Sequence, residues 1–433
     1  MQAYLNPYSE NIRTIKMRRI KSIGLSLVIM SITCISQVQG QFFSPFKGCV
    51  VDANGDCVPN ATLSAMPFLR IIPDARGGGM GDAGIAVSPD ANSMHYNSSN
   101  LAFIEDDASV SATYTPWLRE LNLNDIYLAY ISGYKKIDDL QTVGFALRYF
   151  SLGDINFTDE QGIEIGFGKP RELEFAATYA RKLSDNFSVG LTGKYVYSNL
   201  ATGQEIGGQE ITSANAFAAD LSFTYRKENN ITANGGEFAF GVSLTNIGSK
   251  VTYTRESEVR DFLPSNLGIG AALAMNFDEY NKLTLALDLN KLLIPTPISP
   301  GLIDEDGNFI ENPDYDLNGN QIGDYREKSL FDGIFGSFSD AQGGFSEELK
   351  EFSVSFGAEY WYDNQFAVRT GYYYENPLKG DRQFLTVGLG LKYNVFGFDL
   401  SYLVPTNNRR NPLDNTLRFT VMFDFAAFQG GFN

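Results

Sequence analysis

Apolar and polar residues alternate with period two along most of the chain beyond residue 108. Near its end, Leu417, Phe419, Val421, Phe423 and Phe425 are separated by Arg418, Thr420, Met422 and Asp424. Leu283–Leu289 repeats the pattern with Asp288 among the intervening residues, and Leu385–Tyr393 repeats it around Thr386, Gly388, Gly390 and Lys392. Side chains on a strand point alternately to opposite faces, so each segment has one greasy face and one polar or small one. That suits a wall between lipid and a wet or plugged lumen. Fourteen strands are predicted, centred on 109–116, 125–135, 141–152, 171–183, 186–199, 213–227, 236–248, 265–277, 280–291, 350–362, 364–376, 381–394, 396–404 and 414–426. An even count lets antiparallel strands close on themselves, so the expected fold is an all-β transmembrane barrel.

The turns sort into two kinds. Ser184-Asp185-Asn186, Asp278–Asn281, Asp363-Asn364 and Asn394–Gly397 carry compact turn chemistry and belong on the periplasmic side. Residues 153–170, 200–212 and 249–264 form longer connections outside. The largest, 292–349, follows the ninth strand and is therefore external. It opens with Pro295, Pro297 and Pro300 and then turns acidic and rich in Gly and Asn. Within it, Leu330–Phe338 holds Phe331, Ile334, Phe335 and Phe338, which are candidate anchors for a protein partner. Tyr360-Trp361-Tyr362 and Tyr372-Tyr373-Tyr374 sit near strand ends and read as membrane-interface markers. Residues 41–107 do not alternate; they contain Pro67, Pro73, Pro89 and Gly77-Gly78-Gly79, and read as a compact segment ahead of the barrel.

The N-terminus adds a destination. Lys16, Arg18, Arg19 and Lys21 form a basic region, and Ile23–Ile35 is an apolar stretch too short to span a bilayer. Val38-Gln39-Gly40 places cleavage after Gly40, giving a signal peptide over 1–40, with Met17 as an alternative start. Cys34, preceded by Thr33, is a poor lipoprotein site. No later segment has eighteen consecutive apolar residues. An exported chain embedded in lipid must then pair its backbone in a closed barrel, which points to the outer membrane. The 33 Phe, 23 Tyr and 42 Gly fit interfacial girdles and small lumen residues.

Charge excludes one partner class. Residues 1–40 carry five basic residues and one acid; without them 29 basic residues face 50 acidic ones, a net charge of −21. Such a surface repels nucleic acid. Cys49 and Cys57 remain, and in an oxidising periplasm they are expected to form a disulfide.

Chemistry is sparse. The single histidine, His95, has Asp90 and Ser98 nearby in sequence, but a hydrolytic triad must meet in space beside an oxyanion hole. His95 reads as a structural, hydrogen-bonded residue, and no enzyme or cofactor is expected. Asp316, Asn318, Asn320, Asp324 and Glu327 fall at positions 1, 3, 5, 9 and 12 of a calcium-type loop. The turn glycine at position 6 is replaced by Gln321, so a solvated acidic loop is the plainer reading. Gly77–Gly81 lacks the strand and Lys-Ser/Thr of a phosphate loop.

Pro73-Asp74-Ala75-Arg76-Gly77-Gly78-Gly79-Met80-Gly81-Asp82-Ala83-Gly84, followed by Ser88-Pro89-Asp90-Ala91 and Tyr96-Asn97, resembles the N-terminal signature of the PorV (LptO) proteins of type IX secretion. These belong to the wider class of barrels like the fatty-acid transporter FadL. The resemblance extends through the signal peptide, the fourteen-strand pattern and the last strand. It implies a fourteen-stranded barrel over 108–433 with residues 41–107 supplying a lumen plug. It also implies a translocon partner of the SprA/Sov type, capture of cargo C-terminal signal domains, and delivery to an attachment complex that includes a PorU-like protein. Its residues Pro73, Asp74, Arg76, Gly77, Gly78, Gly79, Gly81, Asp90, Tyr96 and Asn97 form the plug signature. Glycines 77–79 allow tight packing in a lumen. Asp74 and Arg76 are expected to pair with lumen charges such as Arg418, Asp424 or Lys392.

Two other functions compete with the non-enzymatic shuttle. A FadL-like transporter of hydrophobic small molecules requires an apolar lumen pocket and a route through the wall; the inward Thr, Ser, Gly and charged positions disfavour it. An enzyme acting on lipid A is disfavoured by the single histidine.

Overall fold

A computed structural model describes residues 42–44, 49–51, 62–117, 123, 125–158, 164–206, 209–255, 260–297, 301–303, 309–311, 315–317, 323–341, 345–377, 379–406 and 416–425. The signal peptide and Cys57 lie outside these residues. The short strands Phe42–Ser44 and Cys49–Val51 pair as an antiparallel hairpin.

Fourteen antiparallel strands close into a barrel. They are β1 (Ala108–Pro116), β2 (Ile126–Asp138), β3 (Gln141–Leu152), β4 (Arg171–Ser184), β5 (Phe187–Asn199), β6 (Ala214–Asn229) and β7 (Gly236–Gly248). The second half is β8 (Asn266–Asn276), β9 (Asn281–Leu292), β10 (Phe352–Tyr362), β11 (Phe366–Tyr374), β12 (Gln383–Tyr393), β13 (Phe396–Pro405) and β14 (Leu417–Asp424). Each strand pairs with its sequence neighbours, and β14 closes on β1 with Phe419 opposite Tyr114 and Asp424 opposite Ser109. Every expected strand is present, with ends within three residues of those read from the sequence. The strand expected over 364–376 starts two residues later because Asp363 and Asn364 take left-handed φ values of 53° and 50° in the turn.

The alternation has its expected sense. Along β12, Leu385, Val387, Leu389 and Leu391 face outward while Thr386, Gly388 and Gly390 are buried. Along β14, Val421 faces out and Arg418 and Thr420 face in. The register slips once between β6 and β7, between Ala219 and Leu221, where Asn246 takes φ 59° and its backbone N–H donates to Asp220 Oδ1.

The aromatic clusters are only partly interfacial, because strand alternation splits each triplet. Tyr360 and Tyr362 face outward, but Trp361 lies against the Arg369 guanidinium, 5.4 Å from ring to charge. Tyr373 turns inward and stacks on Phe384 at 4.8 Å.

No helix among the described residues is long and apolar enough to cross a membrane. Helices are short: α1 (Ala75–Gly79) and α2 (Ser93–Tyr96) precede the barrel, and α3 (Asp324–Glu327) and α4 (Leu330–Gly336) lie in the long connection after β9.

Candidate functional site: the plugged lumen and its outer vestibule

Residues 62–107 fill the lumen. Asp74 caps α1 by accepting from Gly77 N at 2.8 Å and also accepts from the Tyr96 hydroxyl at 2.6 Å. Ala75 N donates to Thr420 Oγ1 on β14, Gly81 N to Thr386 Oγ1 on β12, and Gly84 N and Ile85 N to the Asp288 carboxylate on β9. Asn97 reaches Thr224 on β6, and Ser98 meets Ser222. The plug's backbone polar groups, which no sheet ladder can satisfy, are thus paired with lumen-facing side chains of the wall.

Glycine allows the approach. At Gly81 φ is 66°, and a Cβ there would stand 2.5 Å from Tyr372 N. On the wall, a Cβ at Gly371 would stand 2.1 Å from Gly81 N. Plug and wall therefore meet backbone to backbone.

Two groups of buried charges surround this contact. Arg76 forks onto Glu359 with Nε at 2.9 Å and Nη2 at 2.7 Å, and its Nη1 meets Asp90 at 2.9 Å. Glu359 also takes Arg369 Nε at 2.6 Å, and Arg369 Nη1 meets Asp399 at 2.6 Å. On the opposite side Arg148 meets Glu174 at 3.1 Å, and Lys194 bridges Glu174 and Asp220 at 3.4 and 2.7 Å. Arg148 Nη1 also donates to the carbonyls of Phe68 and Leu69, both at 2.9 Å.

The expected plug pairs are corrected here. Arg76 finds Glu359 and Asp90, and Asp74 acts as a helix cap. Lys392 and Asp424 pair with each other at 2.9 Å. His95 Nδ1 lies 2.7 Å from Arg148 Nη2, while Asp90 is held by Arg76 and Ser98 by Ser222. Glu359, Arg369 and Asp399 were missed as candidates: each is an ordinary inward residue until the plug meets it.

Above the plug, on the side of the long loops, lies a cavity of about 780 Å³. Its apolar walls include Met66 and Phe68 of the plug, Trp117 after β1, Phe150 of β3, Phe384 of β12 and Leu403 of β13. Tyr253, Asp261, Tyr325 and Arg326 line it from the outer connections. A smaller polar cavity of about 110 Å³ lies beside the plug, with His95, Lys194, Asp288 and Glu351 in its lining. At the outer end of β11, Glu375 receives Arg382 Nε at 2.8 Å and Arg70 Nη2 at 3.4 Å. Burial alone would raise the Glu375 pKa, but Arg382 and Arg70 hold it below the usual carboxylate range.

The long connection after β9 shows its anchors unevenly. Phe331 and Phe335 of α4 are exposed, the latter at 72%. Ile334 is buried, and its neighbour Gly333 faces Phe262 and Pro295. Phe338 is half exposed, with its ring 5.8 Å from Lys291 Nζ. Of the expected calcium loop, Asn318 and Asn320 lie outside the described residues; Asp324 opens α3 and accepts from Leu317 N at 3.2 Å. No group of three or more metal-ligating side chains occurs among the described residues.

The sequence model of the family "Type IX secretion system protein PorV" matches residues 56–299, more than half of the chain. No curated protein matches the sequence. Among solved structures, the Pseudomonas putida toluene transporter TodX aligns at a TM-score of 0.46 and 11% identity, covering 81% of this chain and 98% of its own. The Ralstonia pickettii toluene transporter TbuX aligns at 0.45 and 11%, covering 81% and 97%. A Pseudomonas aeruginosa FadL homologue aligns at 0.40 and 11%, covering 85% and 100%.

Proposed function

The chain belongs to the type IX secretion system protein PorV family, and on that premise we propose that it binds exported proteins by their C-terminal signal domains at a SprA/Sov-like translocon barrel and shuttles them to a surface attachment complex with a PorU-like component. The observation that carries this reading is the plug. It is bonded to β6, β9, β12 and β14 and flanked by buried charges, so the lumen is occupied and the useful surface is the outer rim. The long connection after β9 supplies exposed aromatics at Phe331 and Phe335, the residue type that tends to dominate interface energy. The barrel itself performs no catalysis in this scheme; assay of the purified protein on lipid A should show no deacylation.

Co-purification from native membranes tests the proposal: a very large translocon barrel and proteins bearing type IX signal domains should be recovered with it. Shortening residues 300–345 to a Gly/Ser linker tests the grip. With barrel insertion intact, secretion and surface attachment of cargo should fall; unchanged attachment would move the grip to residues 249–264.

The apolar outer cavity favours a second reading, uptake of hydrophobic small molecules. That reading requires oleate or toluene to cross proteoliposomes containing the purified barrel, and the plugged lumen predicts that neither does.

A further inference from the structure

One buried acid of the outer vestibule stands without a basic partner. Of the five buried glutamates among the described residues, Glu174, Glu348, Glu359 and Glu375 each hold a lysine or an arginine. Glu172, 4% exposed at the outer end of β4, lines the cavity and is held by Ser198 alone, whose Oγ donates to Oε1 at 2.7 Å. No basic side chain among the described residues acts on it. The Tyr253 hydroxyl donates in turn to Ser198 Oγ at 3.0 Å. Both protons of this relay run toward the carboxylate, which leaves Oε2 as an open acceptor. Aromatic rings flank it. Phe150 is its cross-strand neighbour on β3, Trp117 packs edge-on against Phe150 with ring centres 5.1 Å apart, and Tyr253 reaches Ser198 from the outer connection. The basic groups of the same cavity are engaged elsewhere: Arg70 and Arg382 on Glu375, Arg326 on Asp261, and Arg418 on Asp82.

We propose that the vestibule is a binding site for an amphiphilic amine, with its ammonium group on Glu172 beside Trp117, Phe150 and Tyr253 and its apolar body against Met66, Leu152 and Leu200. A buried carboxylate without a counter-charge is costly, and an arriving cation removes that cost. Aromatic faces beside the carboxylate add cation–π attraction, which an anion or a neutral molecule does not gain. The wall next to Glu172 is Phe150, Leu152 and Leu200, side chains that offer no hydrogen bonds, so the body carried by the ammonium is apolar. A volume of about 780 Å³ is that of a small-molecule pocket. The plug lies beneath it, so the ligand is held there and goes no further. The site is independent of the cargo reading: it concerns the β3–β5 side of the vestibule and stands whether or not the rim grips exported proteins.

The test uses the full-length barrel in dodecyl maltoside at neutral pH, in a Trp361→Phe background so that Trp117 in the vestibule reports. The probes are octylamine, octanol and octanoate, which share one chain and differ in charge. Octylamine should change Trp117 emission saturably and bind roughly tenfold or more tighter than octanol, the worth of a charge-assisted hydrogen bond; octanoate should bind more weakly than either. Glu172→Gln, which keeps an acceptor for Ser198, should bring octylamine to the level of octanol and leave octanol unchanged. Heat-dependent gel mobility checks that the variant is folded, and the comparison of the three probes on the unsubstituted Glu172 barrel stands without it. Dihexanoylphosphatidylethanolamine, which carries the same ammonium beside a phosphate, separates the sources: competition stronger than that of octylamine assigns a lipid headgroup, and weaker competition assigns a free amine. The inference is overturned if octylamine gives no saturable signal, if it binds no tighter than octanol, if octanoate binds best, or if the preference for the amine survives Glu172→Gln.

Discussion

Arg76→Met removes the one plug cation that reaches both Glu359 on the wall and Asp90 within the plug. Glu359 would then share Arg369 with Asp399, leaving two buried carboxylates on one guanidinium. Removing one partner of a buried pair costs about 3–5 kcal/mol, because the other charge stays desolvated. Asp90 is the more exposed acid, its side chain 21% accessible against 1% for Glu359, so most of the cost falls on Glu359. Adding Glu359→Met should therefore recover stability: Arg369 and Asp399 remain as a balanced pair and the stranded charge is gone. Unfolding by guanidinium in lipid vesicles measures both variants. A Trp117→Phe background leaves Trp361, which packs on Arg369, as the reporter. The reasoning is refuted if Arg76→Met unfolds at the wild-type midpoint, or if the double variant is less stable than Arg76→Met alone.

Other outcomes follow from wall, plug and rim. Val421 faces lipid near the middle of β14, so Val421→Arg should cost roughly 2–4 kcal/mol and lower the yield of inserted, heat-resistant barrel; normal insertion would mean the faces are reversed. Gly371→Ala should push the plug off the wall at about 1–3 kcal/mol, seen as faster proteolysis of residues 62–107, because its Cβ would meet Gly81 N. Mass spectrometry of the native protein should find Cys49 and Cys57 joined, and a bridge of that length contributes roughly 2–3 kcal/mol. Glu375 has a depressed pKa when folded, so its stabilisation is complete above the unfolded carboxylate value of about 4.3 and is lost as pH falls through the folded one. Acid melts should accordingly lose the Glu375→Gln difference below that window, and a difference that grows on acidification would contradict the Arg382 and Arg70 pairing.

Leu385–Leu391 and Phe419–Phe423 reveal their outward faces in the sequence because strand periodicity is local: a residue's face depends only on its position in the alternation. The same logic set the number of strands and the compact turns at Asp363-Asn364 and Asn394. Local pattern could not say which inward residues matter. Glu359, Arg369 and Asp399 lie on three different strands, and only barrel closure and the entry of Arg76 make them one network. Trp361 and Tyr373 read as interface markers in the sequence like their neighbours, but register turns them toward Arg369 and Phe384. Gly371 looks like any small lumen residue, yet the backbone of Gly81 rests where its side chain would be. Alternation is a property of neighbouring residues and survives in the sequence, whereas partnership across the lumen joins residues as far as 345 positions apart and exists only once the chain has closed around its own N-terminal segment.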